Sequence, residues 1–532
     1  MNQVKAMQFS DFASCWLDRA WTPWLLNLAL PLVVVSLCFL FARPFRLQIG
    51  KPRPPPHVSS WVPWLGSGIH LASDPDSFFD RVTRKHGPVF SITAVGKKMI
   101  YVTSPDLIAS VYSNPKVFDF PLIRRHLQMH IFGQSKEADH DMDEELFPAH
   151  SRHLQPGAIG DLVHSFARQL DRNISRFSEE IGQDGEIITE TSRLVQAMSV
   201  STLIAMMGTT FPADEFLLAF AKFDAEFTKL AGELPAWMCK DAIKYRDVCL
   251  DILERWYIEW SNRTEASELR AEEKVSSVIQ AVLDFASKHG TKSRDVAAFL
   301  LADMFATQAN APPAAAWLII KLAENPDSLE RLRGEIQAGL AQCQDGTIAS
   351  LIKSREIMNG ETFAFLTSAI KETLRCATSV ASIRRVTEDT VFGENRKGEG
   401  EGNGGVLLKR GEMIYCLTRP THTDSSLHPD ADHWIPERFI PEYKSQQSEG
   451  KTVRNAWMPF GGGTSMCEGR HFALQEIRIF MVTFFHHFDV RPTTTRTAQM
   501  DFSRGSGSGV MPAKKGWGLC VTRRADTGEV KP

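Results

Sequence analysis

The chain has no cysteine pairing pattern. Its nine cysteines are scattered over 532 residues without CxxC spacing, which argues against a disulfide framework and for a reducing compartment around most of the chain. No excess of charge is present: the formal net charge is −3, so nothing suggests a nucleic-acid partner. There is no glycine-rich dinucleotide fingerprint, no internal repeat and no visible second domain, so no flavin or nicotinamide site belongs to the chain itself. The length exceeds the usual prior for one simple domain but suits a large single-domain enzyme. A hydrophobic content of 43% and a charged content of 23% are those of a folded globular protein.

Near the start is an almost uncharged apolar stretch, Pro23 to Ala42, of the roughly twenty residues needed to span a bilayer. Pro31 is tolerated in a membrane helix, and Trp21 and Trp24 sit where interfacial aromatics belong. Arg43, Arg46, Lys51 and Arg53 follow, so the positive-inside rule puts the C-terminal side in the cytosol. A cleaved signal peptide and a buried core helix are the alternatives. No small-x-small cleavage site follows the run. Pro52, Pro54, Pro55 and Pro56 make a stiff linker. The expected organisation is a short segment 1–22, a transmembrane anchor 23–42, a basic and proline-rich linker 43–60, and one domain 61–532. The sequons at Asn173 and Asn262 then face the cytosol and stay unmodified.

Near the other end a single cysteine sits in a glycine-rich loop, Phe460-Gly461-Gly462-Gly463-Thr464-Ser465-Met466-Cys467-Glu468-Gly469-Arg470, followed by an apolar, helix-compatible run. The pattern predicts Cys467 at a helix N-terminus, where amide dipoles favour the thiolate. Glycines on both sides let something flat approach the backbone. A thiolate so held can be the axial ligand of a haem iron. An inert buried cysteine in a glycine-rich turn is the plainer alternative.

The spacing Phe460-x-x-Gly463-x-x-x-Cys467-x-Gly469, with Ala473 further on, resembles the haem-binding signature of the cytochrome P-450 superfamily. The resemblance implies a mainly α, helix-rich fold with small β-sheets, haem b (iron protoporphyrin IX) as cofactor, Cys467 as the axial iron ligand, and Phe460, Gly463 and Gly469 around it. Where the family usually places a propionate-binding Arg, this chain has Ser465; the branch holding the sterol 7-alpha- and 12-alpha-hydroxylases and prostacyclin synthase also tends to lack it. Lys371-Glu372-Thr373-Leu374-Arg375 resembles the family's Glu-x-x-Arg motif and Pro436-Glu437-Arg438-Phe439 its next landmark. Glu372 and Arg375 share a helix face, and Arg438 would complete a buried, structural network. Arg384 falls at the family's remaining propionate-binding position, with Arg385 beside it as the competing assignment.

Arg294 to Leu322 reads as a long apolar helix interrupted by Pro312 and Pro313, which would kink it. In the family such a helix crosses the distal face of the haem. Aligned on Asn325-Pro326, Ala306 falls at the oxygen groove, while Ala309 and Asn310 replace the usual acid and threonine. Ala306-Thr307-Gln308-Ala309-Asn310-Ala311-Pro312 resembles the same place in the sterol-hydroxylase and prostacyclin-synthase branch. Asn310 is therefore expected to orient a distal water or a substrate oxygen, or else only to satisfy the broken helix.

Smaller features complete the reading. Val89–Thr93 and Met99–Thr103 read as a hairpin around Gly96-Lys97, Ser135 to Glu145 as a solvated acidic loop, and Glu394 to Gly405 as a flexible hairpin loop. Phe223, Phe227, Leu230, Leu234, Trp237 and Met238 fall where the family's substrate-access helices approach the membrane, or are ordinary helix packing. Asp501 to Arg504 and Gly507 to Val510 resemble the branch's C-terminal substrate-lining turn.

Together these imply a haem-thiolate monooxygenase of the endoplasmic reticulum membrane, single-pass, its catalytic domain facing the cytosol. It would oxidise a bulky apolar substrate, a sterol, steroid or terpenoid. NADPH would supply electrons through NADPH–cytochrome P-450 reductase, with cytochrome b5 as a second donor, docked near Lys451, Arg454 and Arg470. Two rivals remain: an isomerase or dehydratase acting on an oxygenated lipid without a reductase, and a haem- or lipid-binding protein without turnover.

Overall fold

A computed structural model describes residues 52–139, 141–265, 270–393, 405–443, 455–502 and 508–524. Two compact units divide the chain: Met1–Pro52 with Glu394–Gly405, and Arg53–Gly393 with Val406–Pro532. The expected anchor, nearly all of the 394–405 loop, and Lys451 and Arg454 lie outside the described residues.

The second unit is helix-rich. Six helices matter for the site: α1 (Phe147–His153), α2 (Ala213–Ala231), α3 (Ser293–Gln308), α4 (Ala311–Glu324), α5 (Ala364–Ala377) and α6 (Arg470–His487). α4 and α6 are buried on most of their circumference, as helices apolar all round must be. They lie in one large core, whereas two smaller clusters sit under the sheet.

The main sheet runs His57–Val58, Val89–Ala94, Lys97–Val102, Met413–Leu417, Thr378–Val386 and Ser508–Val510, with Phe118–Asp119 on Thr378–Val386. Phe488–Pro492, Leu519–Arg523 and Glu186–Ile188 form a second sheet. Thr390–Phe392 pairs antiparallel with Val406–Leu408 on either side of the 394–405 loop.

Three expectations change. The hairpin turn is Val95-Gly96, both at positive φ (51° and 76°), one residue earlier than expected. That is the twist a two-residue hairpin needs. The long central helix is two helices, and its prolines do not kink it. Asn310, at φ −127°, caps α4, so Pro312 and Pro313 occupy the first turn, where a missing N–H breaks no helical bond. The acidic segment is no open loop: it holds two helical turns, Lys136–Asp139 and Met142–Leu146. Met142 and Leu146 are buried, Asp143 binds Arg124 and Arg125, and Glu145 binds Lys288.

Candidate active site

The cysteine loop closes on itself before the helix begins. The Cys467 N–H donates to Phe460 O at 2.9 Å, and the Met466 N–H to Gly463 O at 3.2 Å. Gly461 and Gly463 take positive φ, 69° and 67°, a region that favours glycine. A Cβ on Gly463 would come within 2.3 Å of Tyr112 O, and one on Gly462 within 2.5 Å of the Tyr112 ring. These two glycines thus admit a neighbouring helix, Pro105–Ser113, and not only a ligand. Gly469 carries no such constraint, since a Cβ there meets no atom within 4 Å.

Cys467 is exposed, yet burial pushes its thiol up from the ordinary value, the N–H groups of Gly469 and Arg470 pulling it back only in part. A side chain that is accessible and nevertheless crowded by protein lines an internal hollow. The expectation that the helix terminus alone yields a thiolate is corrected: α6 begins at Arg470, three residues late, and desolvation outweighs the dipole. The same two N–H groups remain suited to a metal-bound thiolate.

Arg384 lies near this loop. Strand alternation decides between the two adjacent arginines: Arg384 is buried and Arg385 exposed. The Arg384 guanidinium donates to Ser382 Oγ at 2.8 Å, to Ile383 O at 2.7 Å and to Ser465 Oγ. It stacks over Tyr112 and Phe120 at 5.3 and 4.9 Å. Among the described residues no carboxylate pairs with it, and burial pushes its pKa down. A buried cation without an anion is unfavourable, so the position suits an anionic group. Ser465, at the family's missing arginine, points its hydroxyl at Arg384.

α3 presents a different surface. Val296 to Leu301 and Met304 are buried, but Ala306 is exposed, and Ala302, Phe305 and Ala309 are half-buried. These four share one helix face. At the break, Asn310 Oδ1 accepts the Val510 N–H at 3.2 Å. A Cβ on Gly509 would meet Asn310 Oδ1 at 2.1 Å, so a glycine is required there. Ala309 offers no proton donor.

A thiol on a closed glycine loop, an unneutralised buried guanidinium beside it and a small-residue helix face make a fitting donor set for haem: a soft ligand for iron and a cation for a propionate. The family model for cytochrome P450 matches residues 54–519. The chain belongs to the cytochrome P450 family. Its cofactor is haem, and it is an oxidoreductase that incorporates oxygen. This P450 is similar to "Cytochrome P450 7B1" of Mus musculus, 24% identical over 486 residues, covering 89% of this chain and 90% of that one. It is similar to the Homo sapiens "7-alpha-hydroxycholest-4-en-3-one 12-alpha-hydroxylase", 24% identical over 480 residues, with 88% and 92% covered. "Cholesterol 7-alpha-monooxygenase" of Cricetulus griseus is 25% identical over 489 residues, with 87% and 92% covered. A solved structure, "Retinoic acid bound cyanobacterial CYP120A1", superposes with a TM-score of 0.68 over 89% of this chain and 100% of that one; at 18% identity it shows the fold.

Behind the cysteine loop of this P450, one carboxylate holds two guanidinium groups. Glu372 accepts from Arg375 Nε and Nη2, both at 2.8 Å, from Arg438 Nε at 3.1 and 3.0 Å, and from the Ile435 N–H at 3.0 Å. Arg375 also reaches His422 O, Ala431 O and His433 O, and Arg438 reaches Pro429 O. Glu372 and Arg375 are fully buried and Arg438 nearly so. His422 Nε2 accepts the Met458 N–H at 3.0 Å, so the network reaches the start of the cysteine loop.

Sequence reasoning missed Tyr112, His422, Gly509 and His150. None belongs to a local pattern; each acts through a partner at least 36 residues away. His150 lies between Asp303 and Glu468. Arg470, expected to face a redox partner, donates to Cys467 O at 2.8 Å.

Proposed function

We propose that this P450 hydroxylates a sterol-sized apolar substrate, taking electrons from NADPH through a separate reductase, with cytochrome b5 as a second donor. The observation that carries the substrate class is the wall above α3. Phe305, next to Ala306, stacks on Phe227 at 4.1 Å and 16° and meets Phe132, Phe220 and Phe223 edge-on or tilted. Phe220, Phe223 and Phe227 recur at helical spacing on α2, so one aromatic face of α2 docks onto the central helix. Such a wall offers rigid apolar surface and excludes water. The sterol names of the relatives support the same class.

When bound, the haem supplies the iron centre at which dioxygen is reduced and one oxygen atom passes to the substrate. Cys467 would hold that iron, and Arg384 with Ser465 would hold a propionate. Ala306 leaves room above the iron. Asn310 has its Oδ1 committed to Val510, and among the described residues its Nδ2 has no protein acceptor. That amide N–H is available to a water or a substrate oxygen, in place of the absent acid and threonine. Asn310→Ala is expected to slow product formation and to raise the NADPH consumed per product several-fold, measured with reductase and a sterol panel. Unchanged turnover and coupling would remove Asn310 from the mechanism. The rival reading, rearrangement of an oxygenated lipid, draws on the missing acid–alcohol pair at Ala309 and Asn310; product formed without NADPH or reductase would establish it.

Residues 23–42 are proposed as a single-pass anchor in the endoplasmic reticulum membrane, with residues 61–532 on the cytosolic side as one domain. Among the described residues no helix is long and apolar enough to cross a membrane. Support comes from exposed aromatics gathered at one end: Trp61 is 93% exposed, Trp237 70% and Trp64 53%. Trp64 O accepts the Gly96 N–H, and the adjacent Lys97 pairs with Glu233 at 2.5 Å, four residues before Trp237. Tryptophans in that setting suit a headgroup layer. Deleting residues 1–41 is expected to leave a haem-loaded protein with weaker vesicle binding, weakened further by Trp61→Ser with Trp237→Ser in flotation assays. Loss of haem on clean deletion, or unaltered flotation of the triple change, would defeat this arrangement.

A further inference from the structure

We propose that His150 is a positioning residue that bridges the helix over the substrate to the loop of the cysteine ligand and neutralises the carboxylate next to that ligand. The proposal rests on Cys467 being the iron ligand. His150 Nε2 lies 3.2 Å from Asp303 Oδ1, and its Nδ1 lies 3.5 Å from Glu468 Oε2. Asp303 stands one helical turn before Ala306 on α3. Glu468 follows Cys467 directly. One imidazole on α1 therefore connects two elements that are far apart in the chain and form two walls of the same site.

The surroundings fix its position. α1 is held at its start by Arg124, whose guanidinium lies 3.4 Å above the Phe147 ring and pairs with Asp143. The His150 and Asp303 side chains are only 16% and 19% exposed. Both carboxylates hold the imidazole positive, which pushes its pKa up to about 10 although burial opposes it. Asp303 Oδ2 is buried and has no hydrogen-bond partner among the described residues, so the histidine is its only counter-charge there. Aligned hydrogen bonds are lacking at His150 Nε2 as well. The contact is therefore chiefly one of charge, and such a contact acts over several ångströms in a partly desolvated setting.

Charge beside a metal ligand changes the relative energy of the two metal oxidation states. With His150 in place, the Glu468 carboxylate is balanced. Without it, an unbalanced negative charge next to Cys467 favours the more positive iron, the ferric state. Removing Glu468 instead leaves the imidazolium unbalanced and favours the ferrous state. A residue that merely stabilised the fold would not produce two shifts of opposite sign.

The test uses the full-length, haem-loaded protein and three variants: His150→Gln, Glu468→Gln and both together. The readouts are the ferric/ferrous midpoint potential and the rate of haem loss to an acceptor protein. His150→Gln is expected to shift the potential negative, Glu468→Gln positive, and the double variant back towards wild type. Haem loss should be fastest from His150→Gln, since both walls lose their tie. Equal potentials in all four proteins, or shifts of one sign, overturn the proposal. Should His150→Gln retain too little haem to measure, Glu468→Gln decides alone: a positive shift sustains the bridge and no shift overturns it. Failure of the underlying reading is separable, because wild-type protein would then lack the thiolate-type Soret band of the carbon monoxide complex.

Discussion

Cys467→Ala is expected to abolish the thiolate-type Soret band of the reduced, carbon monoxide-bound protein and all NADPH-dependent oxidation. Among the described residues the remaining cysteines are buried or half-buried elsewhere, Cys239, Cys249, Cys343, Cys376, Cys416 and Cys520. Burial pushes the thiols of Cys249 and Cys416 up to about 12 and that of Cys376 up to about 11, so none of these three is suited to ligate as a thiolate. Only Cys467 combines accessibility with N–H groups of Gly469 and Arg470 directed at its sulfur. The loop itself should survive, because its closing bonds run through backbone atoms of Phe460, Gly463, Met466 and Cys467. Apoprotein of the variant should therefore melt as wild-type apoprotein does. A variant that retains the thiolate-type band would refute Cys467 as the iron ligand.

Glu372→Gln is expected to lose haem and much of its resistance to denaturant, with little effect on which product forms. Its carboxylate is the anion facing the buried Arg375 and Arg438. A glutamine keeps the shape but brings an NH2 towards guanidinium donors and removes the charge that offsets them. Breaking a buried ion pair costs roughly 3–5 kcal/mol, a large share of the ~5–15 kcal/mol that separates folded from unfolded domains. The damage should spread to the cysteine loop, since Arg375 holds the His422 carbonyl and His422 holds the Met458 N–H. Urea unfolding followed by both the Soret band and far-ultraviolet circular dichroism measures it. A stable, haem-loaded variant making different products would contradict a structural role.

Local patterns carried much of the site. The cysteine loop was legible because a closed turn needs glycine at positive φ, as at Gly461 and Gly463, and a helix must start close behind it. The Glu372–Arg375 pair was legible because helical spacing alone puts both on one face. Other positions were readable in kind but not in detail. Pro312 and Pro313 marked an interruption, but whether they kink a helix or start one depends on the conformation at Asn310. The acidic stretch near Met142 read as solvated because charge dominates its composition, although its two apolar side chains anchor it in the core.

The chain by itself determined the family, the haem ligand's place in a glycine turn, the helix-rich class and the absence of a nucleotide site, because each depends on residue types at short, fixed spacing. Tertiary structure alone decided which arginine turns inward, since Arg384 and Arg385 differ only by the phase of a strand whose register is set by Met413–Leu417. It also decided that desolvation, and not the helix dipole, dominates at Cys467, and that two loop glycines exist to admit Tyr112. It alone placed His150 between Asp303 and Glu468. Burial and long-range charge pairing depend on which distant segments meet, and no local spacing records that.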